Sequence, residues 1–245
     1  MSSRHTHHYL VAYSAAVTLA FMLTVYFGFV RQVHGASNIT EFDRIRAHRI
    51  DLVEPDGTER LILSDRADYP GSFFHGKEIA RPDRSDAAGM LFIDDEGTED
   101  GGLIYAGSLV DGKPSSYGHL SFDQYDQDQT LSLDEGLEDG KKYSQIVLGD
   151  QPDYALSPKV FDYFEAIKAM PAGPTKQKAL ADAAKIYPFG PNRVILSKGG
   201  DNSAGLTLND PAGHPRLRIS VAADGSPSIQ MLAADGKVLK TIEAK

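Results

Sequence analysis

Short apolar segments separated by turn sequences run through most of this chain, and they constrain its fold more than any other feature. Segments such as Leu61-Ile-Leu63 and Thr130-Leu-Ser-Leu133 alternate with Asp-Gly pairs at Asp56-Gly57, Asp111-Gly112 and Asp139-Gly140. Aspartate and glycine provide the positive φ angles that tight hairpin turns require. Short apolar runs bounded by such turns are typical of strands. The pattern predicts an antiparallel sheet of many short strands.

Two further regions complete the predicted layout of this domain. Residues 157–187 interrupt the strands, because Ser157 and Pro158 suit the start of a helix and apolar residues then recur at helical spacing. Beyond them, glycines recur at intervals of 12 and 11 residues (Gly213, Gly225, Gly236), which is the rhythm of a β-meander. We therefore predict one mainly β (α+β) domain over 45–245, a short-stranded sheet or meander with an inserted helical hairpin.

The sequence also contains an internal repeat. The segment 52–64 aligns with 208–220, with leucine, proline, glycine, arginine, leucine and serine at the same offsets, and 94–99 is a partial third copy. Matching hairpins at both ends of the domain indicate one sheet system or a repeat array. Convergence on common hairpin chemistry is the alternative explanation.

Two local predictions follow from this internal repeat. Gly57 and Gly213 close equivalent hairpins, so each should adopt a backbone conformation that side chains disfavour. Arg60 and Arg216 follow them by the same interval. The planar guanidinium group can bind a carboxylate at two points. We expect each arginine to pair with a carboxylate or with backbone carbonyls of a neighbouring strand.

Two stretches carry a resemblance to other proteins. Residues 89–103 (GMLFIDDEGTEDGGL) and 118–129 (GHLSFDQYDQDQ) resemble a group of uncharacterised bacterial β-rich proteins. The likeness also touches the 53–64 hairpin and the C-terminal repeats, and so covers most of 45–240. The resemblance implies a bacterial origin and a single folded unit, and it implies no activity. The N-terminal apolar segment looks like an addition that the soluble members lack.

Tyr9 to Val30 is a run of 22 residues without a formal charge. About 20 apolar residues in a helix span a bilayer core. We predict a transmembrane signal anchor over 9–30, preceded by a short polar head (1–8) and followed by a linker (31–44). A cleaved signal peptide with its cut at Ala36 is one alternative. A buried helix of a soluble protein is the other.

Two sequence signals bear on which side of the membrane the domain occupies, and they point in opposite directions. One basic residue precedes the segment and four follow it (Arg31, Arg44, Arg46, Arg49), which taken literally places the domain in the cytoplasm. Long domains translocate largely regardless of charge, and a short head before a long domain favours the outer side, periplasmic or extracellular. The triplet Asn38-Ile39-Thr40 is a glycosylation acceptor only in a host that glycosylates, and we favour chance occurrence.

Charge and composition exclude several classes of function. The formal net charge is −9, and Arg4 is the one formal charge within residues 1–30. An acidic domain repels phosphate backbones, so we expect no nucleic-acid partner. The chain contains no cysteine, which excludes disulfides, thiolate catalysis and cysteine-ligated metal sites.

The candidate chemistry lies mainly between residues 119 and 128. His119 with Asp123 as its orienting partner would suit a hydrolase-like enzyme. Asp123, Asp126 and Asp128 offer oxygen ligands for calcium, although their spacing is not that of an EF-hand loop. In each case the plain alternative is a solvated polar strand. A second acidic run, 94–100, reads as a solvated turn or as a site for a cation or basic partner.

No complete catalytic constellation appears in the sequence. We therefore predict a non-enzymatic binding or structural module at the bacterial cell envelope, without a cofactor, with a protein partner or homo-oligomer as the kind of assembly it would form. The alternatives are the hydrolase-like enzyme and a calcium-stabilised adhesion domain. An exposed apolar patch would favour the binding module. A pocket that joins His119 to another titratable residue of perturbed pKa would favour the enzyme.

Overall fold

The computed structural model describes residues 3–33 and 39–243. The chain divides into two units, Met1–Arg46 and Ala47–Lys245, and each is described by itself. The first contains helix α1, Ser3–Val33. Its section His7–Phe27 is long and apolar enough to span a membrane, by a test of length and composition that a signal sequence also passes. Gly35, Ala36 and Asn38, the predicted cleavage and glycosylation positions, lie outside the described residues.

The second unit is mainly β. Its strands are β1 (Arg49–Val53), β2 (Glu59–Ser64), β3 (Ser72–Phe74), β4 (Lys77–Ile79), β5 (Ala88–Ile93), β6 (Glu99–Val110), β7 (Lys113–Asp123), β8 (Gln129–Glu138), β9 (Lys141–Gly149), β10 (Asn192–Lys198), β11 (Ala204–Asn209), β12 (Pro215–Val221), β13 (Pro227–Leu232) and β14 (Val238–Glu243). Twelve of them form one antiparallel sheet in the order β1-β2-β5-β6-β7-β8-β9-β10-β11-β12-β13-β14. Strands β3 and β4 pair with each other. The mainly β prediction is therefore confirmed, and the strands follow each other as a meander.

One type of turn recurs along the sheet. In seven of the described turns the first residue donates its N–H to the carbonyl four residues on, and the fourth residue donates back to the first (turns starting at 54, 94, 124, 199, 210, 222 and 233). Gly57 and Gly213 occupy the fourth position with φ angles of +94° and +83°. The prediction of a positive φ at both glycines is confirmed. The aligned segments 52–64 and 208–220 thus form the same kind of hairpin.

Two helices separate β9 from β10, α2 (Pro158–Lys168) and α3 (Pro174–Ile186). They match the helical hairpin predicted at about 157–187. Pro158 holds the first helical position, but the hydroxyl of Ser157 makes no capping hydrogen bond, so its expected role as a side-chain cap is not seen. The amide of Leu156 donates to the carbonyl of Asp126 at 2.7 Å, which ties the start of the hairpin to the β7–β8 turn.

A small core covers part of one face of the sheet. Ile62, Leu91 and Ile93 are buried together, and Phe73 of β3 packs against them. Ile62 and Leu91 are cross-strand partners, so they point to the same face, the one that β3 covers. Burial of such side chains from water is the main force that holds strands β2 and β5 in place. We call this the covered face.

Candidate functional site

An unbroken row of apolar side chains crosses the opposite face of the sheet. Each of the twelve strands contributes one residue, and each residue is the direct cross-strand partner of the next. The members in sheet order are Ile50, Leu63, Met90, Leu103, Leu120, Leu133, Ile146, Leu196, Leu206, Ile219, Ile229 and Ile242. Cross-strand partners point to the same side of a sheet. All twelve therefore lie on one face.

A second row runs beside the first, two residues along each strand. Its members are Leu52, Leu61, Phe92, Gly101, Phe122, Leu131, Leu148, Val194, Leu208, Leu217, Met231 and Lys240. Residues two apart in a strand share a face. Phe92 and Phe122 stack across Gly101 with ring centroids 5.9 Å apart, so the gap at the glycine is flanked by aromatic rings. We call the two rows together the apolar face.

Within unit 2, the apolar face is left largely uncovered. Leu196 is 49% exposed and Ile219 is 42% exposed, and no apolar side chain of either row is buried. Around Leu120, Leu133 and Ile146 the face is concave, with a hollow of about 660 Å³. Apolar patches of this extent on a protein surface mark sites of interaction.

The covered face differs in composition. Across β11 to β14 its cross-strand partners are polar, Thr207, Arg218, Gln230 and Thr241. The two faces of these strands therefore follow the usual alternation of a half-buried sheet. The polar side chains of these strands can face solvent. The apolar side chains on the other face would be stabilised by a covering layer, and the described part of unit 2 leaves them largely exposed.

Arg60 and Arg216, the two equivalent arginines of the internal repeat, form the predicted contacts. Arg60 pairs with Asp95 and lies 3.6 Å from a carboxylate oxygen of Glu54, which joins two neighbouring turns. Arg216 donates from Nε to the carbonyl of Leu232 at 3.0 Å and lies 3.4 Å from Asp210. Leu232 belongs to the adjacent strand β13, so the prediction of carboxylate or backbone partners is confirmed.

His119 has a carboxylate partner, and that partner is Asp134 rather than Asp123. His119 Nδ1 lies 2.5 Å from Asp134 Oδ1, and the two residues face each other across β7 and β8. Ser132 and Gln145 donate to the other oxygen of Asp134. Burial acts to raise the pKa of Asp134, but these hydrogen bonds outweigh it and hold the pKa below its usual value.

A cavity of about 170 Å³ lies beside His119 on the covered face. Tyr69 and Tyr117 line it with Arg84 and Glu99. Burial raises the pKa of Tyr69 to about 12, and burial together with Asp86 raises the pKa of Tyr117. The cavity thus joins His119 to titratable groups of perturbed pKa. Both phenols keep their protons near neutral pH, so neither offers a base or a nucleophile there.

Asp123 lies at the end of β7, in a second cavity of about 180 Å³. Its Oδ1 is buried and has no hydrogen-bond partner. Burial, together with the nearby carboxylates of Glu99 and Asp128, raises the pKa of Asp123 to about 8 against the opposing charge of Arg84. Asp123 is therefore largely a neutral acid at neutral pH.

Asp126 and Asp128 line the same cavity as Asp123, but their polar contacts are with other residues. Asp126 accepts a hydrogen bond from Thr98 Oγ1 at 3.3 Å and lies 3.3 Å from His75 Nε2. Asp128 accepts from the amide of Gln129. Among the residues that the structure describes, the one group of three potential ligands within 4.8 Å of each other is His48, Asp65 and Asp68. The three predicted calcium ligands are not brought together to that distance.

The acidic run 94–100 is built into the fold. Asp94 accepts amide hydrogen bonds from Glu96 and Thr98 and so shapes its turn. Glu99 is paired with Arg84, with Nη2 and Oε1 2.5 Å apart, and accepts a hydrogen bond from Ser72. The interpretation of this run as a solvated turn therefore holds for Asp95 and fails for Glu99, which is half-buried.

Comparison with known proteins adds no family. No family model matches the chain, and none of the curated proteins matches it.

Proposed function

We propose that the protein is a membrane-anchored, non-enzymatic module of the bacterial cell envelope. Its apolar face binds the apolar sheet face of another folded protein unit. The observation that carries this proposal is the apolar row that crosses all twelve strands without interruption and that the described part of unit 2 leaves largely uncovered. A regular sheet face of this kind is complementary to a second sheet, because two sheets pack by interdigitating their apolar side chains.

The charge of the chain favours a protein over a lipid surface as the partner. The chain has a formal net charge of −9, and anionic membrane surfaces attract basic segments rather than acidic ones. Within the described residues, the polar groups near His119 and Asp123 lie in two small cavities, and the carboxylate that orients His119 is already satisfied by three donors. This arrangement supports a structural role for the polar groups.

The absence of cysteine from the chain makes the proposal testable by cysteine accessibility. Ile219 and Arg218 are neighbours on β12, both are exposed, and they lie on opposite faces. The full-length Ile219→Cys and Arg218→Cys variants would be labelled with a small permeant maleimide in native membranes. We expect Ile219→Cys to react much more slowly than Arg218→Cys, and both to react equally after unfolding in urea.

Two results would overturn the proposal. Equal labelling of both positions in native membranes would show that the apolar face is uncovered in its natural setting. Protection of Ile219→Cys that persists in lipid vesicles holding one chain each would place the face against lipid rather than protein.

A further inference from the structure

We infer that the partner sheet belongs to a second copy of this chain, packed face to face about a two-fold axis that runs along β9 between the two sheets. This inference rests on the proposed function and names its partner. An interface of this kind uses the same surface on both subunits, as in the commonest symmetric dimers. The pattern of residues on the apolar face must then be complementary to itself, and three features show that it is.

The first feature is the size of the apolar face. Twelve strands at a spacing of about 4.8 Å make a face about 58 Å wide, and two rows cover about 14 Å along the strands. The strip therefore measures on the order of 800 Å², which is about what each partner contributes to a stable interface. Because β9 is the seventh of the twelve strands, an axis along it brings nearly the whole strip of each copy into contact.

The second feature is the apolar match that this axis produces. Rotation about β9 exchanges the strands on its two sides, so that β8 faces β10 and β7 faces β11 of the partner. Leu133 then meets the partner's Leu196, and Leu120 meets the partner's Leu206, because all four lie at the same level of the first row. Identical sheets also share the same twist, as aligned sheet packing requires.

The third feature is a pair of opposite charges placed symmetrically about β9. Glu135 on β8 and Lys198 on β10 both lie directly opposite Ser144 of β9 and on the same side as the apolar face. Glu135 is exposed, and Lys198 is half-buried with its Nζ 2.5 Å from the carbonyl of Lys142. The two-fold axis brings Glu135 of each copy over Lys198 of the other. The charges then complement each other at two equivalent positions beside the apolar rows.

Cross-linking in native membranes tests the axis directly. Lys142 and Lys141 are adjacent exposed residues on β9, and Lys142 shares the apolar face while Lys141 lies on the opposite one. In the dimer, two copies of residue 142 face each other at the rim about one sheet spacing apart, roughly 10 Å. The full-length Lys142→Cys variant, treated with a bis-maleimide of about that span, should give a product of twice the chain mass that contains two differently tagged copies. Lys141→Cys is the matched control and should remain single.

Charge reversal then identifies the proposed contact. In the Lys142→Cys background, Glu135→Lys sets lysine against lysine and Lys198→Glu sets glutamate against glutamate, twice per dimer. Each single reversal should weaken the affinity of the dimer by about tenfold, since about 1.4 kcal/mol of repulsion changes affinity by that factor. The cross-linked fraction then falls, provided that the chain is dilute enough for monomer and dimer to coexist. The combined Glu135→Lys/Lys198→Glu variant should restore it. These reactions are run at about 0.15 M salt, where repulsion between the two acidic chains is screened beyond about 8 Å.

The outcomes separate this inference from the proposed function. Absence of the dimer from Lys142→Cys, or equal cross-linking of Lys141→Cys, overturns the second-copy inference. If Ile219→Cys is nevertheless protected in the same membranes, the face binds a different protein and the proposed function stands. A dimer whose yield ignores all three charge variants overturns the axis along β9. Free labelling of Ile219→Cys defeats both proposals together.

Discussion

Asp123 and Asp134 show that the surroundings of a carboxyl group decide its charge. They lie on neighbouring strands and point to the same face of the sheet, yet the pKa of Asp134 is lowered and that of Asp123 is raised to about 8. Asp134 accepts hydrogen bonds from Ser132 and Gln145 and contacts His119, while one oxygen of Asp123 is buried without a partner. Burial of an unsatisfied polar group costs stability. Asp123 is therefore a weak point of the fold at alkaline pH.

Replacement of Asp123 by asparagine tests this weakness. The pKa of Asp123 is about 8 in the folded chain and about 4 in the unfolded chain, so the folded state binds the proton more tightly between these values. The stabilising contribution of the protonated group is complete below about pH 4 and is lost as the pH rises through 8. Asp123→Asn removes this loss. We expect it to stabilise the domain by about 1–3 kcal/mol at pH 8.5, and progressively less toward pH 4.5.

Thermal unfolding of the full chain across this pH range measures the effect. Asp139→Asn is the matched control, because Asp139 is an exposed turn residue and asparagine tolerates its positive φ angle of 48°. Parallel stability curves for Asp123→Asn and the natural chain would contradict the prediction.

The partner of His119 could not be predicted from sequence. Asp123 is four residues further along the same strand, and at about 3.3 Å per residue the two are about 13 Å apart. Asp134 reaches His119 because β7 and β8 pair in a register that sets these residues opposite each other. That register depends on the turn between the strands, where the pairing shifts by one residue between Phe122 and Asp123. A shift of this kind is not visible in local composition.

The hairpin turns are the elements that sequence predicts best. Their chemistry is local, because aspartate accepts amide hydrogen bonds within the turn and glycine provides the positive φ angle. The repeated turns, the meander and the helical hairpin all followed from such local signals. Strand β9 and the β3–β4 pair were not predicted. Strand β9 follows the Asp139-Gly140 turn, but its residues show no strong apolar alternation (Lys141–Gly149), and β3 and β4 have only three residues each (Ser72–Phe74, Lys77–Ile79).

Valine at Gly57 or Gly213 tests the equivalence of the two hairpins. Both glycines have φ angles that a β-branched side chain disfavours. We expect Gly57→Val and Gly213→Val each to destabilise the domain by roughly 1–3 kcal/mol. A Cβ at Gly57 meets no atom within 4 Å, so its cost is purely conformational, whereas one at Gly213 also comes within 3.1 Å of Pro191 Cβ.

Denaturant unfolding of the full chain measures both variants. The larger loss should fall at Gly213, and Gly107→Val is the control, because Gly107 has no such φ angle and its added Cβ meets only ordinary contacts from 3.5 Å. Unchanged stability in both turn variants would show that the shared hairpin carries no conformational constraint.

At the scale of the whole molecule, the sheet has more apolar surface than unit 2 covers. Within the described residues, the buried cluster of Ile62, Leu91 and Ile93 lies on the covered face with Phe73 of β3, while two rows of mostly apolar residues remain largely exposed on the other side. Sequence alternation alone predicts that each strand has one apolar side. It does not predict that these sides align over twelve strands, because that alignment is the product of eleven separate registers. The long row becomes visible only when the pairings are known.

Helix α1 is the proposed anchor of the protein in a membrane. Its section His7–Phe27 is uncharged at neutral pH with histidine neutral, and it has the length of a bilayer core. We expect the full-length chain to stay in the membrane pellet after alkaline carbonate extraction.

Leu19→Lys combined with Leu23→Lys should release a large part of it, since each lysine near the centre of a membrane helix costs about 2.5–3.5 kcal/mol on insertion scales. The matched control, Leu19→Ile with Leu23→Ile, should stay in the pellet. Release of the full-length natural chain would rule out an anchor, and a shortened chain that begins near Ala36 would identify the helix as a cleaved signal peptide instead.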